Sequence, residues 1–263
     1  MTDNTPTLGL SLPSPQPADA DNITDWCLEQ FHAHYGSHIA KDDIWEYLYG
    51  VMHAPDWRER YQHDLQRNLP RVPLAPDFEA FRAAGRALTD LHVNYETADE
   101  HPVVCLVDGQ PDEGEADPAA YRIDKKMRWA KQGKETDRST LEINPRCLLI
   151  DIPGEAHEYT VSGRTPLDWA IDSLRHKHDK PSGITDNPNG WHAWADEPFN
   201  LIRHLRRLTH ISAETARTVN SLPPSLPHPT EAACRFSEKN FQIFSEIVRL
   251  DGLVRGVVVT GEV

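Results

Sequence analysis

Apolar positions recur at helical spacing through the first third of the chain. Ile44, Tyr47, Leu48, Val51 and Met52 fall at i, i+3, i+4, i+7 and i+8, which is one face of a helix. Pro55 restarts the chain in a residue type suited to a first helical turn, and Trp57, Tyr61, Leu65 and Leu69 then recur every four residues. Pro70, Pro73 and Pro76 predict a stiff connector. Phe78, Phe81, Leu88 and Leu91 mark a further helix. Residues 22–95 are therefore expected to form a bundle of about four helices. Ahead of them, residues 1–21 hold Pro6, Pro13, Pro15 and Pro17 among Ser, Thr and Asp, and are expected to be a disordered leader.

The period changes after residue 120. Tyr121, Ile123, Lys125, Met127 and Trp129 share one side of a period-two pattern, and Arg122, Asp124, Lys126 and Arg128 share the other. Such alternation predicts a strand over 121–129 with one mostly apolar face. A polar loop, Lys131 to Ser139 with Gly133 inside it, is expected to return the chain into a second strand near Thr140–Asn144. Cys147–Ile152 is expected to be a short buried strand and Glu158–Val161 another. Thr165-Pro166-Leu167-Asp168 places a capping residue, a first-turn proline and a first-turn carboxylate together, so a helix opens there. Lys180–Asn189 has the residues of turns. From Pro198, Leu201, Ile202, Leu205 and Leu208 face one way while Arg203, Arg206, Arg207 and His210 line the other, and one more helix is expected from about Ser212 to Leu222. The predicted class is α+β: an N-terminal helical bundle followed by a mixed α/β domain with a basic β-hairpin. Its expected divisions are 22–95, an acidic linker or exposed loop over 96–120, a second domain over 121–222 and a tail over 223–263. No internal repeat is visible.

Composition complicates this picture. Apolar residues make up 38% of the 263, and the formal net charge is -14. Mean hydropathy is -0.60. An acidic chain argues against a nucleic-acid partner, because phosphate binding rewards Lys and Arg. Charge is segregated, however. Glu96 to Asp117 holds eight acidic residues and no Lys or Arg, whereas Tyr121 to Arg138 holds seven basic and three acidic, a net of +4. A basic face on an acidic protein is compatible with that pattern. No apolar run reaches the length of a membrane span, and the amino terminus lacks a secretory signal pattern. Cys27, Cys105, Cys147 and Cys234 are far apart in sequence with no C-x-x-C pair, as expected of free thiols in a reducing cytoplasm.

Motifs of catalysis are missing. There is no phosphate-cradling G-x-x-x-x-G-K-[ST] loop, no dinucleotide fingerprint, no N-P-P-Y motif, no D-E-A-D box and no nucleophile elbow. No catalytic residue and no cofactor is expected. His32, His34 and His38 are close, as are His176 and His178, but neither a cysteine pair nor H-E-x-x-H accompanies them, and no metal site is expected. The strongest chemical candidate is the basic ribbon. A two-stranded ribbon fits the major groove of B-DNA. Lys125, Lys126, Arg128, Lys131, Lys134 and Arg138 would neutralise phosphates or read guanine edges. The competing reading is a solvated edge hairpin whose lysines discourage aggregation. Arg203, Arg206 and Arg207 form a second candidate, against a plain amphipathic helix. Asn187 and Asn189 can bond adenine edges, and they are also ordinary turn residues.

Four stretches together resemble one family. They are Asn22-Ile-Thr-Asp-Trp26 with Ile44-Trp-Glu-Tyr-Leu-Tyr-Gly50 and Pro55-Asp-Trp-Arg-Glu-Arg-Tyr61; Leu69-Pro-Arg-Val-Pro73 with Asp77-Phe78, Ala84-Gly85 and Leu91-His-Val-Asn-Tyr-Glu96; Lys126-Met-Arg128 with Ile152-Pro-Gly-Glu-Ala156 and Glu158-Tyr159; and Asp179-Lys-Pro-Ser-Gly-Ile-Thr-Asp-Asn-Pro-Asn189 continuing to Thr218-Val-Asn-Ser-Leu-Pro223. In this order the chain resembles the carboxy-terminal region of the Type ISP restriction–modification enzymes. The resemblance implies a helical coupler over 22–95 and a DNA target-recognition domain over 121–222. It implies double-stranded DNA as partner, with a methyltransferase or helicase–nuclease subunit supplied separately. It adds Lys180, Ser182 and Asn187 to the DNA-binding candidates, beside Lys126 and Arg128. Two departures stand out: the chain opens with Met1 and a proline-rich leader, and the tail after Pro223 does not follow the family pattern. They leave open a protein-interaction module or a remnant without DNA binding. A small hydrolase rests on the histidines alone.

Overall fold

The computed structural model describes residues 23–61 and 72–226. The expected leader, Leu65, Leu69, Pro70, Cys234 and the tail beyond residue 226 lie outside the described residues. The architecture is α+β. Four helices come first: α1 (Asp25–Tyr35), α2 (Lys41–His53), α3 (Pro55–Tyr61) and α4 (Phe78–Val93). Thr24 caps α1 by accepting a hydrogen bond from Cys27 N, and Asp77 caps α4 through Ala80 N. The apolar face predicted for α2 is the buried one, with Ile44, Tyr47, Leu48 and Val51 at most 1% exposed. Burial of such side chains contributes on the order of 1.5–3 kcal/mol each before chain entropy is subtracted.

Helices α2 and α4 pack backbone against backbone. A Cβ added at Gly85 would lie 1.7 Å from the Glu46 carbonyl oxygen, and one at Gly50 would lie 2.1 Å from that of Phe81. Only glycine allows that approach. The connector from α3 is held by the buried Tyr47 hydroxyl, which donates to Pro73 O at 2.6 Å and accepts from Ala75 N at 2.8 Å.

The second half is built on a five-stranded antiparallel sheet of order β2-β1-β5-β4-β3. Its strands are β1 (Val104–Val107), β2 (Gln110–Pro111), β3 (Arg128–Gln132), β4 (Glu135–Asn144) and β5 (Cys147–Ile150). Cys105, Leu141, Ile143, Cys147 and Leu149 point into the core. There they meet Leu167 and Ala170 of α5 (Pro166–Ser173) and Leu201, Ile202 and Leu205 of α6 (Asn200–Asn220). A small hairpin, β6 (Lys177–His178) with β7 (Thr185–Asp186), lies between these two helices in the chain. The capping expected at Thr165 is present: its hydroxyl accepts from Asp168 N at 3.1 Å.

Five expectations change. Residues 96–120 are more than an acidic linker or exposed loop: they contribute β1, whose Cys105 and Val107 are buried next to Val103, and β2. The apolar run there outweighs its acidic flanks. Tyr121, Ile123 and Met127 are buried as predicted, but Lys125, placed on the same face, is exposed; the strand begins only at Arg128, and Lys126 makes a lone bridge to Arg175. The expected loop over 131–139 is mostly strand. Gln132 pairs with Glu135, leaving Gly133 and Lys134 as a two-residue turn, with Gly133 at φ 65. Glu158–Val161 is not a strand; a single turn over Gly154–His157 precedes it, and Val161 only bridges Arg164. The two helices expected over 198–222 are one, because Thr209 and Ser212 return their hydroxyls to Leu205 O and Leu208 O and stay within the helix.

The described cysteines Cys27, Cys105 and Cys147 are free and buried. Cys105 and Cys147, 42 residues apart in sequence, meet at 3.8 Å between their sulfurs on neighbouring strands.

Candidate functional site

The β3–β4 ribbon extends past the core. Residues 131–136 are all exposed, which puts Lys131 and Lys134 at its tip. At its base Trp129 pairs with Leu141 but Ala130 pairs with Asp137, so Arg138, Ser139 and Thr140 bulge out of β4. Bulges re-aim side chains, and here the re-aimed one is Arg138. Its guanidinium lies 5.0 Å from the Trp129 ring centroid and donates to the Asp168 carboxylate. Its carbonyl accepts from His157 Nε2 at 2.9 Å. Arg128 pairs with Glu142 across the ribbon.

The polar side of α5 gathers cations. Asp168 accepts from Trp129 Nε1 at 2.8 Å, from Thr165 and from Arg138. One turn later Asp172 receives Lys126 at 3.0 Å, Arg164 at 3.2 Å and Arg175 at 3.4 Å. Arg164 also stands 5.1 Å from the centroid of Trp169. Burial pulls the Asp168 carboxyl upward, but the hydrogen bonds from Trp129, Arg138 and Thr165 outweigh it and hold its pKa below the ordinary value. The Lys126 ammonium leads the effects that hold Asp172 below its ordinary value. Both carboxylates are therefore ionised at neutral pH.

The loop carrying Lys180, Ser182 and Asn187 is tied to the same wall. His176 N donates to Lys125 O at 2.8 Å, and its ring donates to Ile123 O at 3.0 Å. Asn189 accepts from Ile123 N at 2.9 Å and donates to Ile123 O at 2.7 Å. These bonds fasten the β6–β7 hairpin beside the segment that bears Lys125 and Lys126. Within it Ser182 bonds Asp179, and Asn187 caps the turn after it by accepting from Asn189 N at 3.0 Å. Both side chains thus serve the loop, as turn residues do. Lys180 is exposed, and so is Ile184, at 66%.

The arginines of α6 behave differently from expectation. Arg206 is 7% exposed. Its guanidinium makes a two-pronged bond to Glu113, at 2.6 and 2.7 Å, and donates to Val103 O at 3.1 Å. It is an internal tie to the acidic segment, not a surface cation. Arg207 reaches Glu100 at 3.6 Å, and Arg203 pairs with Glu197 at 2.8 Å beside the Phe199 ring. Of the arginines on this side of α6, Arg206 and Arg207 meet the acidic segment 100–113 and Arg203 meets Glu197. Arg164, Arg175, Asp168 and Asp172 were not singled out as a group. The signal available for them was an i, i+4 carboxylate pair on a short helix with arginines at both ends. Of the histidines, His32 bonds Ile39 O at 2.8 Å, and α1 ends before His38. No group of three metal-ligating side chains occurs among the described residues, and no helix there is long and apolar enough to cross a membrane.

Against known proteins, residues 5–203 match the family described as the Type ISP C-terminal specificity domain. Solved structures are similar as well, three of them as follows. A nuclease-deletion mutant of the Type ISP restriction–modification enzyme LlaGI, in complex with a DNA substrate mimic, matches 70% of this chain at 36% identity and a TM-score of 0.58. The ATP-dependent Type ISP enzyme LlaBIII bound to DNA matches 71% at 30% identity and 0.59. The DrdV–DNA complex matches 76% at 30% identity and 0.63. The chain spans only 14%, 11% and 20% of the length of those proteins, respectively. No curated protein is significantly similar to it.

Proposed function

The chain belongs to the Type ISP C-terminal specificity domain family, and from that premise we propose that it is a DNA target-recognition module, binding duplex DNA on behalf of a methyltransferase and helicase–nuclease carried elsewhere. In this reading it recognises and does not itself catalyse. Residues 103–222 form the recognition unit, with β1 and β2 added to the span expected from sequence, and the helices over 23–95 couple it to its partner. Lys125, Lys126, Arg128, Lys131, Lys134, Arg138, Lys180, Ser182 and Asn187 are its DNA-facing candidates. Arg203 and Arg207 are weaker ones because carboxylates already answer them, and Arg206 is withdrawn because it is buried.

The observation that carries the proposal is the fastening of the β6–β7 hairpin, which carries Lys180, to the segment that bears Lys125 and Lys126 and leads into the β3–β4 ribbon, through Ile123, Lys125, His176 and Asn189. An exposed ribbon of that kind suits the major groove, and lysines at its tip suit phosphates. The test is fluorescence anisotropy of the full chain on duplexes with a randomised core, across a salt series starting at about 50 mM. Binding whose logarithm falls linearly with log salt is expected. No binding at the lowest salt, with or without a partner methyltransferase, overturns the proposal.

A further inference from the structure

Asp168 and Asp172, one turn apart on α5, hold four cations between them: Arg138 on the first, and Lys126, Arg164 and Arg175 on the second. Each cation side chain is 40–50% exposed. A network that served only to fasten α5 would balance its charges. This one leaves two positive charges over, and Lys126 and Arg175 crowd the same oxygen of Asp172. Like charges at such range repel unless an anion lies between them, and one carboxylate answers three. The donors are also underused. A guanidinium offers five N–H groups, and Arg164 spends one of them on Asp172. Trp129 and Trp169 stack against Arg138 and Arg164, so two of the cations are held in place in advance.

We propose that this α5-centred plate grips the phosphodiester backbone of duplex DNA, and that Arg164 and Arg175 are backbone-binding residues alongside Lys126 and Arg138. The inference rests on the DNA-recognition reading above and assigns its phosphate contacts. Two phosphodiesters would neutralise the surplus and give the idle donors acceptors. Asp168 and Asp172 do not touch DNA in this reading; their charges offset half of the cations that do.

The experiment compares the full wild-type chain with R164Q, R175Q and the double variant on randomised-core duplexes, by anisotropy at several salt concentrations. Backbone contacts set the salt dependence. The double variant should lose about two from the slope of log affinity against log salt. Its affinity should then fall ~10-fold less than wild type between about 50 and 200 mM salt. The sequences selected from the pool should not change, and neither should the thermal midpoint. R86Q, on α4 and 67% exposed at its side chain, should keep the wild-type slope. D172N retains all four cations and should bind more tightly at each salt concentration. Wild-type binding with an unchanged slope in the double variant overturns the plate while leaving DNA recognition standing. The same holds if D172N gains nothing. Absence of salt-dependent binding by the wild type overturns both.

Discussion

On α6, Arg206 is 7% exposed and is answered by a bidentate carboxylate and a backbone carbonyl. Around α5, four cations 40–50% exposed share two carboxylates. As strings of residues the two regions look alike, each a helix with arginines on it or beside it. Their difference lies in which acidic segment folds back over them. Glu100 and Glu113, distant in sequence, fold over α6 and turn Arg206 into an internal tie. Nothing equivalent covers α5 among the described residues, and its cations stay in surplus. A basic helix is therefore a binding surface only where the fold withholds counter-charge.

The comparison can be broken at either side. The largest effect is expected from R206A. It strips the Val103 carbonyl of a donor and opens the packing against Phe199, while Glu113, 67% exposed at its side chain, rehydrates. Urea unfolding should show a loss of about 2–3 kcal/mol, at the lower side of what breaking a buried pair costs. A loss under about 0.5 kcal/mol, the range of ordinary surface changes, would make Arg206 a surface residue after all.

Acid should separate the two regions next. His204 on α6, and His92, whose ring meets Thr215 of α6, have pKa values pushed down to about 4 and about 3, mainly by burial. The unfolded chain binds protons on these rings near pH 6.5 and the folded one does not, so stability is lost as pH falls below that value. The slope is on the order of 1 kcal/mol per pH unit for each. The Asp168 and Asp172 carboxyls are depressed, so their contribution is full above the ordinary carboxylate value near 3.9 and lost only as pH falls through the lower folded values. Hydrogen exchange at pH 7, 5.5 and 4.5 should show α6 loosening first and α5 last. The reverse order would contradict the assignment.

Two smaller effects sharpen the contrast. K131Q with K134Q, at the exposed ribbon tip, should flatten the salt dependence of DNA binding by about two while moving stability within about 0.5 kcal/mol. An equal loss of affinity at every salt concentration would mean contacts other than phosphate. E142Q removes the partner of Arg128 on the exposed ribbon and should cost at most about 1 kcal/mol in a thermal melt.

Much of the helical half was legible because its signal is local. Ile44, Tyr47, Leu48 and Val51 announce a face by spacing alone, and Thr165 announces a helix start by its own hydroxyl. The sheet half was read less well, for definite reasons. Alternation in 121–127 reports burial, and it is correct for Tyr121, Ile123 and Met127, but pairing needs a neighbouring strand that only the fold supplies. The ribbon over 131–136 is exposed on both faces, so it has no apolar rhythm and looks like a loop. Val103 to Val107 was hidden between acidic flanks.

The sequence alone determined the α+β class, the cap at Thr165, the positions of many buried side chains, the basic content of 121–138 and the family. Only the tertiary structure decided which charges are free. Periodicity and composition are sums along the chain, and they assign each arginine a side of its helix. Whether that side meets water or a carboxylate 93 residues away, as Arg206 meets Glu113, depends on long-range packing that no local pattern encodes.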